Sequence, residues 1–220
     1  MSDCEVLSHS LTYYSSMEIR VLAYATSPRR HGNSETLLDW MLDVMRTDPD
    51  IVITKVVVPE VDIRPCRGCN VCEIKGECIL HDEMQPLYAE TIASDIILLA
   101  APVYCMGLCA QAKVLIDRAQ RFRSRKYVLN LPIVPEDRIG KRMGCFIGTA
   151  GQDWDYVFDA SLQAIDCYFH LIGLRKKDRK NLLIDSVDEK GAVETHPTAR
   201  TEAEKLAHEF IYEIRTRKDV

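Results

Sequence analysis

The chain has no apolar run long enough to span a membrane. The longest, around Ile96 to Val103, is interrupted by Pro102. Its first residues lack the basic and apolar segments of a secretory leader, so the expectation is a cytoplasmic, reducing location. There is no excess of positive charge: 28 Lys and Arg stand against 33 Asp and Glu, for a net charge of -5. That balance argues against nucleic acid as the main partner. Repeats and low-complexity segments are missing as well. What remains is a chain of 220 residues, 47% hydrophobic and 28% charged, which suits one α/β domain and would make two cramped.

Residues 1–16 are polar and aperiodic and read as an N-terminal arm, with a single domain over 17–220. Apolar and β-branched runs predict strands at Glu18–Ala25, Ile51–Val58, Asp95–Ala101, Lys141–Thr149 and about Leu174–Ile184. Helical spacing predicts helices over about Asn33–Arg46, Glu83–Ala93, Cys109–Arg121, the stretch from Phe158 to Ile172, and Thr198–Thr216. In the first of these, Leu37, Leu38, Met41, Leu42 and Met45 form one core-facing stripe. Residues 122–140, with basic side chains and two prolines, read as an irregular insertion. Strands alternating with helices indicate a parallel sheet covered on both faces. Five strands of this length fit the flavodoxin-like order 2-1-3-4-5, whose ligands bind at the carboxyl ends of the strands.

Four of the nine cysteines, Cys66, Cys69, Cys72 and Cys78, lie within thirteen residues at spacings C-x2-C-x2-C-x5-C. Disulfides across two-residue gaps would be awkward, whereas four thiolates match the ligand demand of an iron–sulfur cluster or a tetrahedral zinc ion. The other five cysteines are scattered and read as incidental or buried thiols.

Three loops at the expected carboxyl edge carry polar and flexible residues. The first, Thr26 to Ser34, sets Ser27, Arg29, Asn33 and Ser34 before a helix start and suits a phosphate. It matches neither the G-x-x-x-x-G-K-[ST] nor the G-x-G-x-x-G pattern, which disfavours a P-loop nucleotidase and a dinucleotide fold. The second holds Pro102, Val103, Tyr104, Met106 and Gly107, a mixture that can line a planar ring; the third holds Thr149, Ala150 and Gly151. Together they favour a flat, phosphorylated cofactor.

The order of Ser27-Pro28-Arg29 with Gly32-Asn33-Ser34, the cysteine loop with Asp82-Glu83-Met84, Pro102-Val103-Tyr104, Lys113 and Ile116-Asp117-Arg118 resembles the NADPH-dependent FMN reductase-like flavodoxin superfamily. Within it, the cysteine loop resembles that of the iron–sulfur flavoproteins. The resemblance covers about residues 17–185. It implies FMN in the three loops and a [4Fe–4S] cluster on Cys66, Cys69, Cys72 and Cys78. It also implies a homodimer or homotetramer that brings cluster and flavin close at subunit contacts. The chain departs from many relatives in having Thr26 where they have glycine, and in the length of 122–140.

The resulting expectation is an FMN-dependent oxidoreductase that passes electrons from a ferredoxin-type donor through the cluster to FMN and on to a small acceptor. No catalytic acid or base is expected, and neither nucleic acid nor membrane is an expected partner. The alternative is an NAD(P)H-dependent FMN or quinone reductase without a cluster. A zinc-stapled binding protein is a third reading. Arg118, Arg121, Arg123, Arg125 and Lys126 form a basic run suited to docking an acidic donor.

Overall fold

The computed structural model describes residues 18–218, and the expected arm at 1–16 lies outside them. The strands are β1 (Ile19–Ala25), β2 (Ile51–Val57), β3 (Ile96–Tyr104), β4 (Gly107–Leu108), β5 (Met143–Thr149) and β6 (Arg179–Ile184). The helices are α1 (Asn33–Met45), α2 (Val71–Lys75), α3 (Met84–Ala93), α4 (Ala110–Asp117), α5 (Gln120–Tyr127), α6 (Asp159–Leu171) and α7 (Ala199–Lys218). The sheet order is β2-β1-β3-β5-β6, all parallel, with β4 added to the end of β3 as a short antiparallel hairpin. This is the expected 2-1-3-4-5 order plus one two-residue strand.

Alternation along the strands divides the core. Val21, Ala23, Ile96, Leu98, Cys145 and Ile147 face α1 and α7, and the expected α1 stripe from Leu37 to Met45 is fully buried there. Leu22, Tyr24, Ile97, Leu99 and Phe146 face the other side, against α3, α4 and α6. Among the described residues, no helix is long and apolar enough to cross a membrane.

Three expectations change. The single helix over 109–121 is two helices, because the backbone tightens at Arg118–Ala119, where the Ala119 N–H reaches back to Ile116 O. The supposed irregular insertion begins with α5, so 122–127 is helical. The last strand starts at Arg179, not Leu174, since Gly173 is left-handed (φ 87°) and Lys176–Asp178 forms a 3-10 turn.

Arg142, at the entry to β5, is 1% exposed, and its guanidinium donates to three backbone carbonyls. Its Nε–H goes to Ser94 O (2.9 Å), and its two amino groups go to Ile172 O (2.7 Å) and Thr91 O. These carbonyls close the C-terminal ends of α3 and α6, which have no partner within their own helices. Burial, reinforced by the charge of Arg138, pushes the Arg142 pKa down to about 10. Replacing it as Arg142→Met leaves those carbonyls unsatisfied and should lower unfolding stability by about 3 kcal/mol in urea titrations.

Candidate functional site

Two of the cavities on the described surface hold residues singled out from the sequence, and their chemistry differs. The first, of about 90 Å³, sits at the carboxyl ends of β1, β3 and β5. Ten of the residues singled out from the sequence line it: Ser27, Arg29, Asn33, Ser34, Pro102, Val103, Tyr104, Thr149, Ala150 and Gly151. Met106 and Gly107 do not. They turn the β3–β4 hairpin, with Cys105 and Met106 both left-handed (φ 49° and 65°).

The phosphate-type features come from the start of α1. Gly32 is its N-cap, in extended conformation, and no side chain caps the helix. The first-turn amides are therefore left for an anion. Ser27 Oγ accepts the Arg29 N–H at 3.1 Å, and the Arg29 guanidinium donates to Asp188 O at 3.3 Å. The Thr26 hydroxyl turns away, donating to Ala100 O at 2.7 Å on β3.

Asn33 plays a different part from the other loop residues. Its Nδ2 donates to Val187 O and Glu189 O (2.8 Å each), and its Oδ1 accepts the N–H groups of Gly191 (2.9 Å) and Val193 (3.4 Å). Both ends of the amide are thus spent on tying the segment after β6 to the cavity. That segment supplies Val187, Asp188 and Lys190 to the lining, residues that the sequence reading missed. Their signal was position alone: a polar turn at the carboxyl end of an outer strand. A Cβ at Gly151 would lie 2.8 Å from Asp188 Oδ1, so this wall admits only glycine without rearrangement. Free helix-start amides, hydroxyls, Arg29 and Lys190 beside Pro102, Val103 and Tyr104 fit a phosphorylated planar group.

Glu35 supports the loop from below. Its carboxylate, 1% exposed, accepts Arg30 NH1 (2.7 Å), the His31 N–H (2.6 Å) and Lys55 Nζ (2.8 Å). His31, Glu35 and Asp39 are also the described ligand-type trio whose atoms lie within 4.8 Å of one another. Glu35 and Asp39 are already engaged there by Lys55.

The second cavity, of about 110 Å³, is walled by Cys66, Cys69, Cys72 and Cys78 and floored by Leu80, Arg118, Arg121 and Ser124. Left-handed Gly68, Asn70 and Gly76 (φ 61°, 57° and 70°) curl the chain around it, and the last two bracket α2. All four thiols are free; Cys66 and Cys69 are exposed, Cys72 and Cys78 half-buried. Four free thiols around one space are the donor set of an iron–sulfur cluster or of a tetrahedral zinc ion.

Three of the basic residues from 118 to 126 contact this loop, whereas Arg125 donates to Pro132 O (3.5 Å) and Lys126 to His170 O (3.3 Å). Arg118 is fully buried, Arg121 donates to Gly76 O (3.2 Å) over the Tyr88 ring, and Arg123 pairs with Glu73 (3.2 Å). Arg118 meets Asp82 at 2.5 Å. Burial alone would raise the Asp82 carboxyl, but the Arg118 guanidinium and two backbone N–H groups outweigh it and hold it below the usual carboxylate range.

A family model described as NADPH-dependent FMN reductase matches residues 19–156. The chain is similar to an iron-sulfur flavoprotein of Archaeoglobus fulgidus, 38% identical over 92 residues, or 42% of this chain and 41% of that protein. It is also similar to an iron-sulfur flavoprotein of Methanosarcina thermophila, 24% identical over 156 residues, or 71% and 75% of the two chains. The match thus spans about two fifths of the Archaeoglobus relative's length. An azoreductase structure from Bacillus anthracis shares the fold, with a TM-score of 0.64 at 14% identity over 87% of this chain and 99% of that one.

Burial tends to raise the Glu35 carboxyl, but the hydrogen bonds from Lys55 and the His31 N–H, with the charges of Lys55 and Arg30, hold it below the ordinary range. A depressed carboxylate stabilises the fold above its unfolded pKa of about 4.3, and that contribution is lost as pH falls through the folded value. Glu35→Gln should therefore be about 2 kcal/mol less stable than the parent at pH 7. The gap should narrow in urea titrations as pH is lowered through the depressed folded value of Glu35.

Proposed function

The chain belongs to the NADPH-dependent FMN reductase family, and on that premise we propose that it is an FMN-dependent oxidoreductase with a second redox centre in the 66–78 loop. In this reading it transfers electrons from a ferredoxin-type protein to a small acceptor, in the cytoplasm, as a homodimer or homotetramer. The carrying observation is the four-thiol cavity, set apart from the strand-end cavity and sharing no lining residue with it.

Cys66, Cys69, Cys72 and Cys78 would hold a [4Fe–4S] cluster. Ser27, Arg29, Ser34 and the α1 amides would hold the FMN phosphate, with Pro102, Val103 and Tyr104 against the ring. Flavin exchanges one or two electrons and a cluster exchanges one, so a protein holding both can match a one-electron donor to a two-electron acceptor. The chain's own residues do the rest. Asn33 fixes the outer wall of the flavin cavity, Glu35 fixes the turn before α1, and Arg118 fixes the base of the cysteine loop. Because the two cavities have separate walls, a second copy that presents its cysteine loop to this flavin cavity would shorten the transfer path.

One observation favours the reductase without a cluster as a second reading. No residue of 122–140 lines the strand-end cavity, so that segment leaves its mouth open to a nicotinamide.

Iron, acid-labile sulfide and flavin measured on one anaerobically purified sample test the proposal. About four irons and one FMN per chain are expected. Cys72→Ser should lose iron while keeping FMN. Flavin without iron in the parent protein, bleached by NADPH alone, would sink the cluster reading in favour of the reductase.

A further inference from the structure

Arg118 has five N–H donors, and each has an acceptor. Nε–H reaches the Tyr88 hydroxyl (3.3 Å), one amino group reaches Arg64 O (2.8 Å) and Asp82 Oδ2 (2.5 Å), and the other reaches Asp82 Oδ1 (3.1 Å) and Cys78 Sγ (3.4 Å). A guanidinium has no further donors, so this is a complete assignment. Four of the five bonds fix where the group sits. The fifth delivers a charged N–H to a cysteine sulfur.

A second donor lies across the cavity floor. Ser124, 1% exposed, directs its hydroxyl at Cys72 Sγ, 3.1 Å away. Cys72 in turn points its thiol at Gln120 O (3.8 Å), a contact that is given up when the sulfur is deprotonated for metal binding. The Ser124 hydroxyl then remains as donor to the thiolate. Among the described residues, no such donor reaches Cys66 or Cys69.

We propose that Arg118 and Ser124 are positioning residues that raise the reduction potential of the centre bound on Cys78 and Cys72, with Asp82 holding Arg118 in register. The proposal rests on the cluster reading above. Its physical basis is that a cluster gains negative charge on reduction. Hydrogen bonds to its thiolate sulfurs favour that charged form and move the potential upward. A thiolate is a far better acceptor than the neutral sulfur, so both donors strengthen once a centre is bound. The arrangement is lopsided: two ligands are braced from the protein side, and two are left open to solvent.

Ser124→Ala is the direct test, because it deletes one oxygen and leaves the Arg118 network whole. In the iron-loaded protein, redox titration followed by electron paramagnetic resonance should show the reduction equilibrium constant falling about three- to tenfold. The upper end is about 59 mV more negative for a one-electron couple. Arg118→Lys keeps the charge but cannot serve five acceptors, and a shift in the same direction is expected from it. Unchanged potentials in both variants, at parental iron and FMN content, would overturn the tuning role while leaving the cluster reading intact. A parent protein that binds no iron would overturn the cluster reading and this inference with it.

Discussion

A buried guanidinium is the most heavily bonded link between the cysteine loop and the sheet domain. Arg118 sits at the break between α4 and α5 and bonds to Arg64 and Cys78 at the two ends of the loop and to Asp82 just beyond it. Removing two charges from water is costly, and such a pair adds little net stability over apolar packing. What the bidentate geometry supplies is position. With the loop so anchored, Arg121 and Ser124 on the next helical turns come to lie under the thiols.

The two cavities have different physical origins. The strand-end cavity follows from topology, since a parallel sheet with helices on both faces leaves a crevice where the order reverses beside β1. Backbone amides and side chains such as Ser27, Arg29 and Lys190 line it, and Asn33 and Glu35 brace the backbone around it. The cysteine cavity follows from side chains. Its loop has only one five-residue helix, and three left-handed residues give it shape. It holds its form because α5 and Arg118 support it from beneath.

That contrast explains what was legible in the sequence. The sheet order, the α1 stripe and ten lining residues of the strand-end cavity could be read because hydrophobic period and strand-end position are local signals. The four-cysteine spacing was legible for the same reason. The inward role of Arg118 was not: it was read within a basic run suited to docking, and the tertiary partners that hold it, Asp82 among them 36 positions away, are distant in sequence. The α2 helix and the β3–β4 hairpin were hidden because Asn70, Cys105 and Met106 take left-handed backbone without the glycine that would announce it. Nor could the sequence show that Asn33 is a strap rather than a ligand, since its partners at 187–193 come from the far end of the chain.

The braced and open halves of the cysteine loop bear on how the proposed relay works. Cys72 and Cys78 are half-buried and receive donors from the protein, while Cys66 and Cys69 face outward. Any molecule that approaches this loop meets the open pair first. Its surface then replaces water over two of the four sulfurs, and lower local dielectric strengthens every hydrogen bond beneath them. Docking by a protein donor or a second copy would thus change the electrostatics of the loop through the exposed side, against a fixed reference on the buried side. The basic residues of α5 fit that division of labour. Arg121 and Arg123 bond to Gly76 and Glu73 of the loop and so stiffen its inner wall. The helix behind the loop thereby keeps the rim with the exposed Cys66 and Cys69 in place.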